Sequence, residues 1–220
     1  MTVGLIHSTR LVLPWIEAAL RPLASRARFL HALDEALIVE LAKGEGVTDG
    51  VLRRIASLAR SLAEAGADRL VLSCSSLSPA VDELAPSLPI PLAKIDEAMI
   101  VAALRASIPF VIVATNPSTR RPLGLIVERV AARLGVEPDW RYELLDGAFS
   151  ALDRGDTEGH DAAVASACET LAATGRAILF AQISMARVLP RLTEAAKAVT
   201  KTSLDYIEES ALGERGAPTQ

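Results

Sequence analysis

The sequence predicts an α/β protein of two pseudosymmetric lobes, each a parallel sheet flanked by helices, with an active site in the cleft between them. Three observations predict it. Short apolar runs alternate with longer helical patterns along the 220 residues, the alternation expected of strands and crossover helices in a parallel sheet. Half of the residues are hydrophobic (50%) and only 4% are aromatic, so the core must be aliphatic, as it is where helices cover a sheet. The second half of the chain also repeats the first at an offset of about 108 residues.

The strand-like runs are residues 3–6, 70–72, 110–114 and 178–181, with weaker candidates at 29–32 and 140–144. Each is an apolar stretch too short for a helix and ends in small polar residues. Helical patterns follow at about 11–23, 51–65, 96–106, 122–134, 158–174 and 204–212. Gly66, Gly135 and Gly175 fall just past helix ends, where a left-handed cap favours glycine.

The repeat joins these elements into two halves. Residues 3–7 (VGLIH) align with 111–115 (VIVAT), Ser8, Thr9 and Arg10 with Ser118, Thr119 and Arg120, and 57–66 (SLARSLAEAG) with 166–175 (SACETLAATG). Residues 70–76 (LVLSCSS) align with 178–184 (ILFAQIS), which makes Cys74 and Gln182 counterparts, and Asp96 corresponds to Asp205. Each half reads as strand, helix, strand, helix. The first lobe is expected to comprise residues 1–95 plus about 201–220, and the second 96–200. Ligands of open parallel sheets bind beyond the carboxyl ends of the strands, which singles out the loops beginning at His7, Cys74, Thr115 and Gln182.

Composition narrows the function. A net charge of −4 with acids and bases intermixed offers no basic stripe for phosphates, so nucleic acid is not expected as a partner. The N-terminus lacks a basic segment ahead of an apolar one, and no stretch approaches the roughly 20 apolar residues of a membrane span. A cytoplasmic protein is expected. Two Cys and three scattered His provide neither a disulfide framework nor a metal-ligand spacing, so no metal is expected.

Cys74 is the candidate reactive group. It follows an apolar run and precedes Ser75, Ser76, Ser78 and Pro79, a helix start. Positive potential at a helix N-terminus would depress the thiol pKa. Cys168, inside a helical pattern, reads as structural. Ser8 and Thr9, and Thr115, Asn116, Ser118 and Thr119, are hydroxyl-rich corners suited to a carboxylate. Arg10 and Arg120 rank below them as carboxylate clamps. His7 ends the first strand as a candidate acid or base, in one reading the base of a Cys74 nucleophile. The Gln182 amide can donate to and accept from a ligand. His31 reads as part of an adjoining loop, and His160 as a surface residue.

Taken together, the opening GLIHSTR, residues 70–76 (LVLSCSS), 94–98 (KIDEA), 114–119 (ATNPST) and 178–185 (ILFAQISM) resemble the aspartate/glutamate/hydantoin racemase superfamily over nearly the whole chain. The resemblance implies two pseudosymmetric α/β lobes and cofactor-independent chemistry at the carbon α to a carboxylate of a small acid: an amino acid, hydantoin or dicarboxylate. In that family one Cys thiolate removes the α proton and a second Cys returns one on the opposite face. The resemblance assigns the first role to Cys74 and carboxylate binding to Ser8, Thr9, Ser75, Ser76, Thr115, Asn116, Ser118, Thr119, Gln182 and Ser184. The second cysteine position holds Gln182, and His7 stands where amino-acid racemases carry an acidic residue. A single-Cys decarboxylase, a cis-trans isomerase, or a catalytically decayed carboxylate-binding protein are the alternatives. A homodimer is the commonest oligomer for such an enzyme.

Overall fold

The computed structural model describes residues 1–44 and 46–213. The chain divides into two compact units. One comprises residues 1–98 and the segment from Leu204 onward; the other is Met99–Ser203.

In the first unit, β1 (Thr2–His7), β2 (Arg28–Leu33), β3 (Arg69–Leu72) and β4 (Leu92–Lys94) form an all-parallel sheet in the order β2-β1-β3-β4. β1 is buried over Val3–His7, as expected of a central strand covered on both faces, whereas β2 at the edge is largely open. Around the sheet lie α1 (Leu13–Leu20), α2 (Ala36–Leu41), α3 (Asp49–Glu64) and α4 (Ser78–Leu84). α3 shows why the pattern yields a helix. The Thr48 side chain accepts from Val51 N at 3.3 Å, and Val51, Ile55, Ala59 and Leu62 recur on the buried face. Gly66, at φ +89°, ends the segment.

Gly4 lets α3 settle on β1. A Cβ there would stand 2.7 Å from Leu70 Cδ2 and 3.0 Å from Leu62 Cδ1. The resulting core joins Ile6, Ile55, Leu62, Leu70, Leu72 and Leu77, and burial of each large aliphatic side chain contributes roughly 1.5–3 kcal/mol. α5 (Glu97–Arg105) carries the chain out of this unit.

The second unit repeats the plan. β5 (Phe110–Ala114), β6 (Trp140–Leu144), β7 (Ala177–Phe180) and β8 (Thr200–Lys201) form a parallel sheet in the order β6-β5-β7-β8. Its helices are α6 (Arg120–Leu134), α7 (Ala148–Asp153), α8 (Thr157–Ala172) and α9 (Glu194–Val199). α6 ends on Gly135 in the left-handed conformation. Finally α10 (Ile207–Leu212) belongs to the first unit, where Arg69 Nε donates to Ser210 O and Ser210 Oγ donates to Ile95 O.

The strand-helix-strand-helix half foreseen from sequence is incomplete. Each sheet gains a fourth strand, β4 or β8, of only three and two residues, too short to leave a period in the sequence. The segment 11–23 is not one helix either: 3-10 turns at Arg10–Val12 and Arg21–Leu23 flank α1, the second around Pro22, which lacks an amide proton for the α ladder. His160 is likewise not on the surface. It is fully buried on α8, with Nδ1 2.9 Å from the buried Asp161 carboxylate, to which Arg187 Nε donates at 3.0 Å. A run of polar residues at the start of α8 disguises that network as a solvated face.

Candidate active site

The functional residues follow from strand register. Ile6 stands opposite Leu72, so the next residues, His7 and Ser73, leave β1 and β3 side by side. Likewise Val113 stands opposite Phe180, which brings Thr115 beside Gln182 two residues on. Each pair is joined by side-chain hydrogen bonds.

In the first unit Cys74 leaves β3 with extended backbone (φ −119°, ψ 111°) and opens the 3-10 turn Ser75–Leu77 that runs into α4. The residue is half-buried against the core beneath α3 and α4. Burial pushes the thiol above its ordinary range, and the Asp96 carboxylate pushes the same way. Hydrogen bonds from the Ser8 hydroxyl and from the backbone N–H groups of Leu77 and Ser76 oppose the shift without cancelling it. The expected depression of the Cys74 pKa is therefore reversed: desolvation of a thiolate outweighs the donors at the turn. At neutral pH Cys74 rests as a thiol.

Several candidates have structural engagements that the sequence did not show. Ser75, expected to bind substrate, donates its hydroxyl to Asp96 Oδ1 at 3.0 Å, and both residues are buried. Ser76 is buried and supplies its backbone N–H to the thiol. Ser8 is buried against Cys74, whereas Thr9 accepts from Leu11 N as an N-cap. Arg10 is not a free clamp, because its guanidinium grips Glu35 through Nε at 3.0 and 3.1 Å.

His7 is fully buried, and both ring nitrogens are in use: Nδ1 lies 2.8 Å from Ser73 Oγ and Nε2 lies 2.9 Å from His31 Nδ1. The partners seen for the two nitrogens are thus Ser73 and His31 rather than Cys74. Burial, and then the neighbouring His31, lower the His7 pKa from 6.5 to about 4. His31 itself lies on β2, not in a loop. Ser73, His31 and Asp96 are the residues that sequence reasoning passed over. Ser73 had a local signal in the run LSCSS, and Asp96 one in the motif KIDEA.

In the second unit Gln182 has both ends of its amide engaged. Oε1 accepts from Thr115 N at 2.9 Å and Nε2 donates to Thr115 Oγ1 at 3.1 Å. It ties together the ends of β5 and β7. Asn116 caps the next turn: its Oδ1 accepts from Ser118 N at 3.0 Å and from Ser118 Oγ at 2.8 Å. Thr119 Oγ1 donates to Asn116 O at 3.0 Å and lies 2.9 Å from the Tyr142 hydroxyl, beneath the Arg120 guanidinium. Ser118 is exposed, Thr115 and Thr119 are buried, and Ser184 is partly buried in the 3-10 segment Ile183–Arg191. Gln182→Ala is expected to lower stability by about 1–3 kcal/mol by stripping partners from Thr115; urea unfolding reads this directly.

Among the described residues no group of three or more His, Cys, Asp or Glu is arranged to hold a metal, and no helix is long and apolar enough to cross a membrane. The second cysteine, Cys168, is buried in the core on α8, with its pKa pushed up to about 12 chiefly by burial.

Solved structures share the fold of this chain. The chain is similar to the aspartate racemase of Picrophilus torridus (TM-score 0.71, 11% identity, covering 93% of this chain and 89% of that one). It is also similar to allantoin racemase from Klebsiella pneumoniae (0.60, 19%, 95% and 86%). A third similar structure is a glycine-to-cysteine mutant of arylmalonate decarboxylase in its sulfate ion associated form (0.58, 20%, 100% and 96%). No curated protein matches by sequence. The match to the family model described as Asp/Glu/Hydantoin racemase runs from residue 3 to residue 204 and takes in both sheets and all four loops. On that match, the chain belongs to the Asp/Glu/hydantoin racemase family.

Proposed function

We propose that this protein is a cofactor-independent enzyme that transfers a proton at the carbon α to a carboxylate of a small acid, with Cys74 as its one proton-transferring group. The observation that carries the proposal is the state of Gln182. At the position that repeats Cys74 stands an amide with no titratable proton, held at both ends by Thr115. With Cys168 buried in the core, Cys74 is the one thiol proposed to act, and it acts from one face. This favours stereospecific proton return over two-base racemisation.

The resting chemistry of Cys74 fits that role. A thiol whose pKa is raised is already in the protonated form that an enolate requires. If the substrate is a malonate-type diacid, the bond from Cα to one carboxylate breaks and its electron pair passes into the enolate of the other. Carbon dioxide leaves, the Cys74 proton goes to Cα, and solvent restores the thiol. If the substrate carries an acidic α proton instead, the thiol first gives its proton to solvent, the thiolate takes the α proton, the S–H exchanges with solvent, and the same sulfur delivers a solvent proton to Cα. Ser8 and the N–H groups of Ser76 and Leu77 stabilise the thiolate in either case. Thr115, Asn116 and Ser118 in the loop after β5, and Thr9 in the loop after β1, are the proposed carboxylate donors.

The test is stereochemical. Malonate-type diacids, α-amino acids and hydantoins would be incubated with the enzyme in deuterated water, and the product examined for the configuration of the deuterated carbon. One configuration is expected. Deuterium appearing equally in both enantiomers from the first turnovers would mean that a second proton donor operates, and would overturn the single-thiol reading.

A further inference from the structure

The two imidazoles of the first unit form a connected system. Ser73 Oγ donates to the carbonyl of Ile6 at 3.1 Å, so its own proton is committed. The 2.8 Å contact between Ser73 Oγ and His7 Nδ1 must then be donated by His7. A neutral His7 protonated on Nδ1 has a bare Nε2, which takes its hydrogen bond from Nδ1–H of His31 at 2.9 Å. The two ring planes lie within 14° of each other, with centroids 5.1 Å apart. Strand register explains the approach: His31 stands opposite Leu5, and Leu5 and His7, two residues apart on β1, share a face.

We propose that His31 is a positioning residue: it holds Nε2 of buried His7, so that the ring keeps its bond to Ser73 and through it fixes the chain entering Cys74. The link to the thiol is double. His7 is followed by Ser8, whose hydroxyl bonds the thiol, and His7 bonds Ser73, which precedes Cys74. The ring His7, Ser8, Cys74, Ser73 is therefore closed by two covalent connections and two hydrogen bonds. Its orientation depends on which nitrogen of His7 carries the proton.

Proton uptake follows from the same geometry. His31 lies on the exposed edge strand, so its Nε2 takes the first proton while the bond to His7 persists and becomes charge-assisted. A second proton would have to enter at His7 Nε2, inside the contact, leaving two N–H groups head to head. Burial and the His31 charge both oppose it. Among the described residues, Glu17 on α1 favours charging of His31, and the ion pairs Asp34–Arg54 and Arg10–Glu35 follow the end of β2. Both ion pairs are already neutralised.

The test needs no substrate, so it stands or falls separately from the proposed reaction. Full-length protein labelled with nitrogen-15 at histidine would be compared with His31→Val, which keeps strand propensity at an exposed position but removes the donor. In the wild type, His7 is expected as the Nδ1–H tautomer, silent to titration down to about pH 4. In the variant it should keep that tautomer, which Ser73 sets, but titrate at least one pH unit higher. The rate at which Cys74 reacts with 2,2′-dithiodipyridine should change at least threefold, with a new acid inflection at the His7 titration. An unchanged His7 titration, or an identical Cys74 profile in a variant whose His7 titration has shifted, would overturn the proposal.

Discussion

Replacing Cys74 by serine is expected to lower turnover by about 10²–10⁴-fold, the usual contribution of a positioned acid or base. Serine preserves the size of the side chain and can accept the same bonds from Ser8 and from the N–H groups of Ser76 and Leu77. What it loses is the proton. A hydroxyl is far less acidic than a thiol, so it neither delivers a proton to an enolate at a useful rate nor forms the conjugate base at working pH. Stability should move by less than about 1 kcal/mol, since the core contact is nearly conserved. The two readouts together are diagnostic: initial rates on an accepted substrate and urea unfolding on the same preparation. A variant keeping activity within a few-fold of wild type would show that the chemistry belongs to another residue.

The second large effect is an acid limb in stability set by His7. Its folded pKa of about 4 lies below the 6.5 of an ordinary imidazole, so the unfolded chain binds the proton more readily. Stability is therefore fully present above pH 6.5 and is lost as pH falls through 6.5 toward 4. A shift of this size is worth about 3 kcal/mol at the acid end. His31, whose pKa is lowered as well, acts in the same direction. His7→Gln should be less stable at pH 7, because packing around the buried ring is lost, yet its stability should fall less steeply between pH 6.5 and 4. Urea unfolding at half-unit intervals measures both slopes. Carboxylates held low by partners, such as Glu35 and Glu158, titrate equally in both proteins, so the difference reports His7 together with the His31 bonded to it. Parallel curves would refute the argument.

The contrast between two histidines shows where sequence reasoning reaches. The position of His7 was legible, because an apolar strand ending in a polar residue leaves a local mark. Its state was not. Ser73 lies 66 residues away and His31 lies 24 away, and both bond to it only because β1 sits between β2 and β3. His160 illustrates the converse. Its neighbours are polar, so it read as surface, yet packing against the segment that holds Arg187 buries it.

By itself the sequence determined the alternation of strands and helices, the duplication, the place of Cys74 and the missing sulfur at residue 182. These are properties of periodicity and identity, carried by neighbouring residues along the chain. Only the tertiary structure decided which side chains are free to act. It locked Gln182 to Thr115, tied Ser75 to Asp96, occupied both nitrogens of His7 and turned the Cys74 pKa upward rather than downward. The physical reason is common to all four. Hydrogen-bond partners and desolvation arise from residues far apart in sequence that a parallel sheet sets side by side, and no local pattern records them.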